Sequence, residues 1–142
     1  TGWVSEGGHW FYYGPSGGQA AGWVQVRGTW YYLDPISGEM ASGWTKVRDT
    51  WYFLGSSGAM HAGWMREGST WYYLADSGAM ATGWARIGSS WYHFATSGAM
   101  STGWVKDGGS WFYLSSSGAM VTGARWIDGT RYVFDDEGRL QE

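Results

Sequence analysis

The sequence is built on a period of about 20 residues, marked by Gly-Trp pairs that begin at residues 2, 22, 43, 63, 83 and 103. One extra residue near Pro35-Ile36 lengthens the second interval. A period of this size is typical of arrays in which each small unit buries its apolar surface against its neighbours. We therefore predict one module over residues 1–142 with about seven repeats, which begin near residues 2, 22, 43, 63, 83, 103 and 123. Because the chain starts inside a repeat, we expect a longer parent protein.

A second Trp follows each of these pairs after seven residues and opens an aromatic run. The runs read WFYY, WYYL, WYFL, WYYL, WYHF and WFYL, and a Ser-Gly pair follows each one. Next comes a Met in five repeats, namely Met40, Met60, Met80, Met100 and Met120, and Gln19 in the first repeat. The last repeat is degenerate, since Ala124 and Arg131 take the two Trp places and Leu140 takes the Met place. We expect this repeat to cap the array.

Each repeat is predicted to form a β-hairpin. Aromatic and β-branched residues favour strands, and most segments between paired tryptophans contain a Gly or Asp that suits a tight turn. With a four-residue loop over residues 26–29, antiparallel pairing places Trp23 opposite Tyr32 and Val24 opposite Tyr31. Directly opposed residues share a face of the hairpin, and successive residues alternate between faces. The two faces then consist of Trp23, Trp30 and Tyr32 on one side and Val24, Tyr31 and Leu33 on the other.

The fold class predicted from these hairpins is all-β, a repeat solenoid of stacked β-hairpins. An isolated two-stranded hairpin is only marginally stable in water, so the hairpins must bury surface against one another. The face that carries Val24, Tyr31 and Leu33 supplies an apolar strip for this core.

The other face is unusual because its apolar residues are rings. The chain has 13 Trp, 10 Tyr and 5 Phe, although a packing layer could use Leu, Ile or Val. Two classes of ligand use aromatic faces: sugars, which stack their C–H groups on them, and quaternary ammonium groups, which are attracted to the π electrons. A polarizable Met beside such rings suits the second class. The alternative is that the rings only pack successive hairpins together.

Composition and charge exclude several functions. The absence of Cys excludes disulfides and zinc–thiolate sites, and no apolar run is long enough to cross a membrane. The net charge of −3 comes from scattered acids and bases, which argues against a nucleic-acid partner.

Catalysis is also not predicted for this chain. Gly14-Pro15-Ser16-Gly17-Gly18 matches the nucleophile-elbow pattern, but its Ser-Gly pair is the one that recurs in the following repeats. The histidines His9, His61 and His93 occupy three different places in the repeat and form no triad or metal-ligand spacing. We expect a chain that is not an enzyme and that needs no metal or other cofactor.

The pattern formed by Thr82-Gly83-Trp84, Trp91-Tyr92, Gly98-Ala99-Met100 and Thr102-Gly103-Trp104 resembles the choline-binding repeats of pneumococcal surface proteins and of pneumococcal and phage cell-wall lytic enzymes. The resemblance covers nearly the whole chain. It implies a left-handed β-solenoid that binds choline of teichoic acids between adjacent hairpins. In that family two Trp come from one hairpin and the third aromatic of the run comes from the next, with a Met nearby.

Carried over to this sequence, the resemblance implies three aromatic cages that keep the full pattern: Trp3, Trp10 and Tyr32; Trp44, Trp51 and Tyr73; and Trp84, Trp91 and Tyr113. Met40, Met60, Met80, Met100 and Met120 are the implied fourth walls. Two further sites depart from the pattern, because Trp23 and Trp30 would meet Phe53, and Trp64 and Trp71 would meet His93. The last pair, Trp104 and Trp111, would face Val133 and leave an open or absent site.

The resemblance also implies the biological setting. The partner would be choline or phosphocholine of teichoic and lipoteichoic acids, at the bacterial cell surface, for a secreted protein or a phage lytic enzyme that acts on the wall. The resemblance also implies that the chain could form choline-dependent homodimers and that the parent protein could carry a hydrolase module. Two alternatives stay open, a glucan-binding repeat module and a purely structural stalk. Related glucan-binding repeats usually carry Lys or another polar residue at the second Trp place, which favours choline here.

Overall fold

The computed structural model describes residues 2–141 and resolves them into fifteen short strands. Within these residues the chain has no helix, so none has the length and hydropathy that crossing a membrane requires. The chain divides into two compact units. The first unit comprises Thr1–Met65 with Leu74–Met80, and the second comprises Arg66–Tyr73 with Ala81–Glu142.

The strands follow the repeat. In chain order they are β1 (Gly2–Glu6), β2 (His9–Tyr13), β3 (Gly22–Val26), β4 (Thr29–Leu33), β5 (Gly43–Val47), β6 (Thr50–Leu54), β7 (Gly63–Glu67), β8 (Thr70–Leu74), β9 (Gly83–Ile87), β10 (Ser90–Phe94), β11 (Gly103–Asp107), β12 (Ser110–Leu114), β13 (Gly123–Ile127), β14 (Thr130–Phe134) and β15 (Leu140–Gln141). Each odd-numbered strand from β1 to β13 pairs with the next strand, giving hairpins 1 to 7, and β15 adds a third strand beside β14.

The predicted register of the hairpins is confirmed, but their loops are shorter than predicted. In hairpin 2, Trp23 lies opposite Tyr32 and Val24 opposite Tyr31, as expected, and the ladder continues to Val26 opposite Thr29. Only Arg27 and Gly28 are left in the turn, and both have positive φ angles, 52° and 82°. Two such residues form a type I′ turn, whose twist matches that of the paired strands, so the ladder extends to the turn.

A short return segment after each of hairpins 2 to 6 joins that hairpin to the one before it. After hairpin 3, Gly58 donates to the carbonyl of Gly55 at 2.8 Å, and the chain turns so that Met60 lies beside Leu54. The amide of Met60 then donates to the carbonyl of Trp30 in hairpin 2 at 2.8 Å. The equivalent bonds are Met40 to Trp10 and Met80 to Trp51 in the first unit, and Met100 to Trp71 and Met120 to Trp91 in the second.

The extra residue of the second repeat is absorbed by its Ser-Gly turn. Here Asp34 donates to the carbonyl of Glu39, one residue farther along than in the other turns, at 2.8 Å. The carboxylate of Asp34 accepts the amides of Ile36 and Ser37 at 2.8 and 2.9 Å. The bonds from Ser37 and Ile36 stabilise the charged carboxylate and lower the pKa of Asp34. The insertion therefore leaves the flanking strands in register.

The most deeply buried core residues are the last residues of the aromatic runs in hairpins 2 to 6. Leu33, Leu54, Leu74, Phe94 and Leu114 are all completely buried. In hairpin 2 this residue lies on the face predicted to form the core, so that prediction is confirmed, as is the prediction of an all-β fold of stacked hairpins. The degenerate last repeat differs in having β15, and its buried residues Val121, Ile127 and Phe134 form a cluster of their own.

Glycine is required where a Met side chain from the preceding repeat crosses the Ser-Gly turn. A Cβ on Gly118, whose φ is +92°, would lie 2.4 Å from the sulfur of Met100. Gly103 has a similar φ of +79° but no atom within 4 Å of its Cβ position. A substitution at Gly103 therefore tests backbone strain alone, whereas one at Gly118 adds steric overlap with Met100.

We predict that Gly118→Ala destabilises the protein more than Gly103→Ala does. Both variants should lose about 1–2 kcal/mol from the left-handed backbone, and Gly118→Ala about 1–3 kcal/mol more from overpacking against Met100. Denaturant unfolding of the two variants measures the difference. Equal losses would show that the thioether yields without cost and would contradict the close packing.

Candidate functional site

In hairpins 2 and 6 the two tryptophans form a corner that opens to solvent. The ring centroids of Trp23 and Trp30 are 6.4 Å apart at 84°, and those of Trp104 and Trp111 are 6.2 Å apart at 87°. Trp30 is 39% exposed and Trp111 43%. Two nearly perpendicular indoles on one face can thus present π surfaces to the same ligand.

A third ring comes from the following hairpin, and it is the second aromatic of the run. Trp3 meets Tyr31 at 4.8 Å between ring centroids, and Trp23 meets Tyr52 at 4.9 Å. In the second unit the same contacts are Trp84 with Phe112 at 4.9 Å and Trp104 with Tyr132 at 5.0 Å. All four are edge-to-face, with interplanar angles from 61° to 75°.

The third aromatic of the run, which the resemblance implied, lies elsewhere. Tyr32 contacts Trp23 of its own hairpin at 5.0 Å. The reason is the alternation of side chains: Tyr32 shares a face with Trp23, and that face looks toward the next hairpin, whereas Tyr31 points back toward Trp3. Three further third-position residues likewise contact the first Trp of their own hairpin: Tyr113 contacts Trp104, Phe53 contacts Trp44 and His93 contacts Trp84.

The structure thus brings together different sets from those implied by the sequence. Tyr31, Tyr52, Phe112 and Tyr132 are the rings that sequence reasoning missed, and the period-2 alternation was the signal that could have identified them. Trp104 meets a ring from the next hairpin, Tyr132, whereas the sequence had suggested that Trp104 and Trp111 would face Val133. The sets Trp44, Trp51 and Tyr73, and Trp64, Trp71 and His93, each draw on both compact units and stay predictions.

The return segments assign one Met to the second Trp of each of hairpins 1 to 5. The bond from the Met40 amide to the Trp10 carbonyl fixes Met40 beside Trp10, and its thioether packs against the Gly58 turn. A cavity of about 350 Å³ is lined by Trp3, Trp10, Tyr31 and Met40, together with Ser56 and Ser57. By the same bonds Met60 belongs with Trp30, Met80 with Trp51, Met100 with Trp71 and Met120 with Trp91.

The equivalent cavity in the second unit is larger and carries charge. It encloses about 460 Å³, and its aromatic and thioether walls are Trp84, Trp91, Phe112 and Met120. The indole N–H of Trp84 donates to the Asp107 carboxylate at 2.8 Å. Asp136 and Glu137 line this cavity at the repeat places of Ser56 and Ser57, and Arg139, paired with Glu137, offsets part of their charge.

These cavities suit a methylated cation. Indole faces attract cations within about 6 Å, and a thioether adds a polarizable wall without demanding a hydrogen bond. Nearby carboxylates such as Asp107 strengthen the attraction for positive charge. Among residues 2–141 no group of three or more His, Asp or Glu side chains is placed to hold a metal ion.

The family profile and the similar solved structures indicate the same family. The profile of the choline-binding repeat matches residues 1–43, 41–82 and 81–123. The structure of CbpJ from Streptococcus pneumoniae TIGR4 has a TM-score of 0.95 and 43% sequence identity, over 99% of this chain and 52% of that chain. Choline binding protein F from Streptococcus pneumoniae, solved with a peptidoglycan analogue, has a TM-score of 0.93 and 42% identity, over 99% and 52% of the two chains.

A third similar structure contains choline. It is the pneumococcal cell wall endolysin from phage Cp-1 complexed with choline, with a TM-score of 0.61 and 35% identity, over 87% of this chain and 37% of that chain. No curated protein sequence matches the chain. The chain spans about half the length of CbpJ and of choline binding protein F.

The position of Tyr31 leads to a test of the third wall. We predict that Tyr31→Leu weakens choline binding at Trp3 and Trp10 by about two- to thirtyfold, because one π face is lost. Tyr32→Leu should leave that site unchanged and affect Trp23. Choline titrations followed by the indole N–H resonances of Trp3, Trp10 and Trp23 measure each site. The assignment would be contradicted if Tyr32→Leu weakened choline binding at Trp3 and Trp10 while Tyr31→Leu left it unchanged.

Proposed function

The chain belongs to the choline-binding repeat family, and on that premise we propose that it is a non-catalytic module that recognises choline residues of teichoic and lipoteichoic acids. The observation that carries the proposal is the cavity of Trp3, Trp10, Tyr31 and Met40, which no charged side chain lines. A trimethylammonium group has no hydrogen-bond donor, so a binding site for it needs π faces and shape rather than polar partners.

Affinity in this proposal comes from the number of sites. Each aromatic contact contributes about 0.5–2 kcal/mol, so a single cage corresponds to roughly millimolar binding. Several cages that bind one choline-bearing polymer raise the apparent affinity by about 10²–10⁴. A repeat array thus suits a polymer that carries the same small group many times.

The module would hold a larger protein at the bacterial wall. Because this chain spans about half of CbpJ and of choline binding protein F, a further part is expected in the parent. We propose residues 1–142 as one binding module, which localises that part to the bacterial surface.

Retention on a tertiary-amine resin tests this function. We predict that the protein is retained and that free choline at about millimolar concentrations releases it, since the soluble cation competes for the same cages. At a salt concentration high enough to screen ion exchange with the amine groups, a glucan-binding module or a structural stalk would pass through the resin. Passage through the tertiary-amine resin combined with retention on a neutral glucan resin would contradict the proposal.

Exposed tryptophans provide matched variants for the same assay. Replacing the second Trp of all six intact hairpins by Leu should abolish retention, because each is about two-fifths exposed and lies outside the core: Trp10, Trp30, Trp51, Trp71, Trp91 and Trp111. Trp126, which is 72% exposed in the degenerate repeat, serves as the control, and Trp126→Leu should be retained as the native chain is.

A further inference from the structure

Basic residues recur at one place in the repeat. Lys46, Arg66, Arg86 and Lys106 are four of the nine Lys and Arg residues, and each lies two residues after the first Trp of its hairpin. Hairpins 1 and 2 carry Ser5 and Gln25 at this place. The charges therefore follow the repeat, although they look scattered along the sequence.

This place lies directly across from the second Trp. Lys106 pairs with Trp111 and Lys46 with Trp51, so each cation shares a face with the indole opposite it. The ammonium nitrogen of Lys106 lies 5.9 Å from the centroid of Trp111, and the guanidinium carbon of Arg66 lies 6.0 Å from that of Trp71. In these hairpins the protein's own cation occupies the indole that a choline cation would use.

A side-chain cation at this place opposes choline alone. It repels the onium charge and competes for the same π face. The opposition is relieved when the ligand carries an anion next to its onium group, because the side chain can then move from the ring to that anion. A phosphate esterified to choline is such an anion, since only two carbons and the ester oxygen separate it from the nitrogen.

We propose that Lys46, Arg66 and Lys106 bind the phosphate of phosphocholine, so that their hairpins recognise the choline phosphoester of the wall polymer rather than choline. This inference rests on the proposed choline-binding function and adds a second recognised group. Arg86 has the same register, but the cavity of Trp84 and Trp91 also carries Asp136 and Glu137, which oppose a phosphate. Hairpins 1 and 2, with Ser5 and Gln25, would bind the choline group without contacting the phosphate esterified to it.

Charge-matched variants test the proposal. The triple variant Lys46→Gln, Arg66→Gln and Lys106→Gln gives these hairpins the residue that hairpin 2 has naturally. The control Arg27→Gln, Arg48→Gln and Arg125→Gln removes three charges from exposed places that are not opposite a second Trp. Titration calorimetry with phosphocholine and with choline gives the ratio of the two affinities for each protein.

The triple variant should lower the phosphocholine-to-choline affinity ratio by about three- to tenfold, with choline itself bound at least as tightly as before. The control should keep the native ratio. In the opposite direction, Ser5→Lys with Gln25→Lys should raise the ratio. An unchanged ratio in both the triple variant and the Lys-gain variant would overturn the inference, as would an equal fall in the control. If the native chain bound neither ligand, the proposed function itself would fail.

The carrier of the phosphoester is tested separately, because bilayer lipids present the same group. The native protein should bind choline-bearing teichoic acid and stay in solution when phosphatidylcholine vesicles are sedimented. Equal binding to these vesicles would overturn the assignment to the wall polymer.

Discussion

The edge-to-face contact between the first Trp of one hairpin and the second aromatic of the next is the interaction on which the rest of this structure depends. Trp3 with Tyr31 and Trp104 with Tyr132 are examples from the two compact units. A two-stranded hairpin is at best marginally stable in water, so each hairpin needs a neighbour to cover its faces. The contact supplies that cover and also fixes the distance at which three rings surround a cavity. Folding and ligand binding therefore use the same side chains.

This shared use explains why the rings are not replaced by aliphatic residues. Leu33 and its equivalents in hairpins 3 to 6 are completely buried, and an aliphatic side chain suffices there in all but one of these hairpins. The second Trp is different, because Trp10 is 46% exposed and contributes little to a core. Exposed apolar surface is unfavourable in water, and a ligand that covers the indole accounts for a Trp at this place. The Met amide that bonds to the Trp10 carbonyl then places a thioether at the same cavity.

Much of the fold followed from the sequence, and the site followed only in part. The 20-residue period and the strand register could be predicted because side-chain alternation and tight turns are local properties, as Trp23 opposite Tyr32 shows. Which ring closes each cavity depends on how one hairpin faces the next, and this is a tertiary property. The resemblance implied Tyr32, whereas the structure brings Tyr31 to Trp3. The partner of each Met was also hidden, because its bond reaches back across a whole hairpin to the preceding repeat.

The most direct test of the central claim compares choline with its neutral isostere, in which a tert-butyl group replaces the trimethylammonium group. The two molecules have nearly the same shape, so only the attraction between positive charge and the aromatic faces differs. Titration of the protein with each should show choline bound at least about tenfold more tightly. Equal affinities would mean that the cavities select shape and apolar surface alone, and would contradict a site built for a cation.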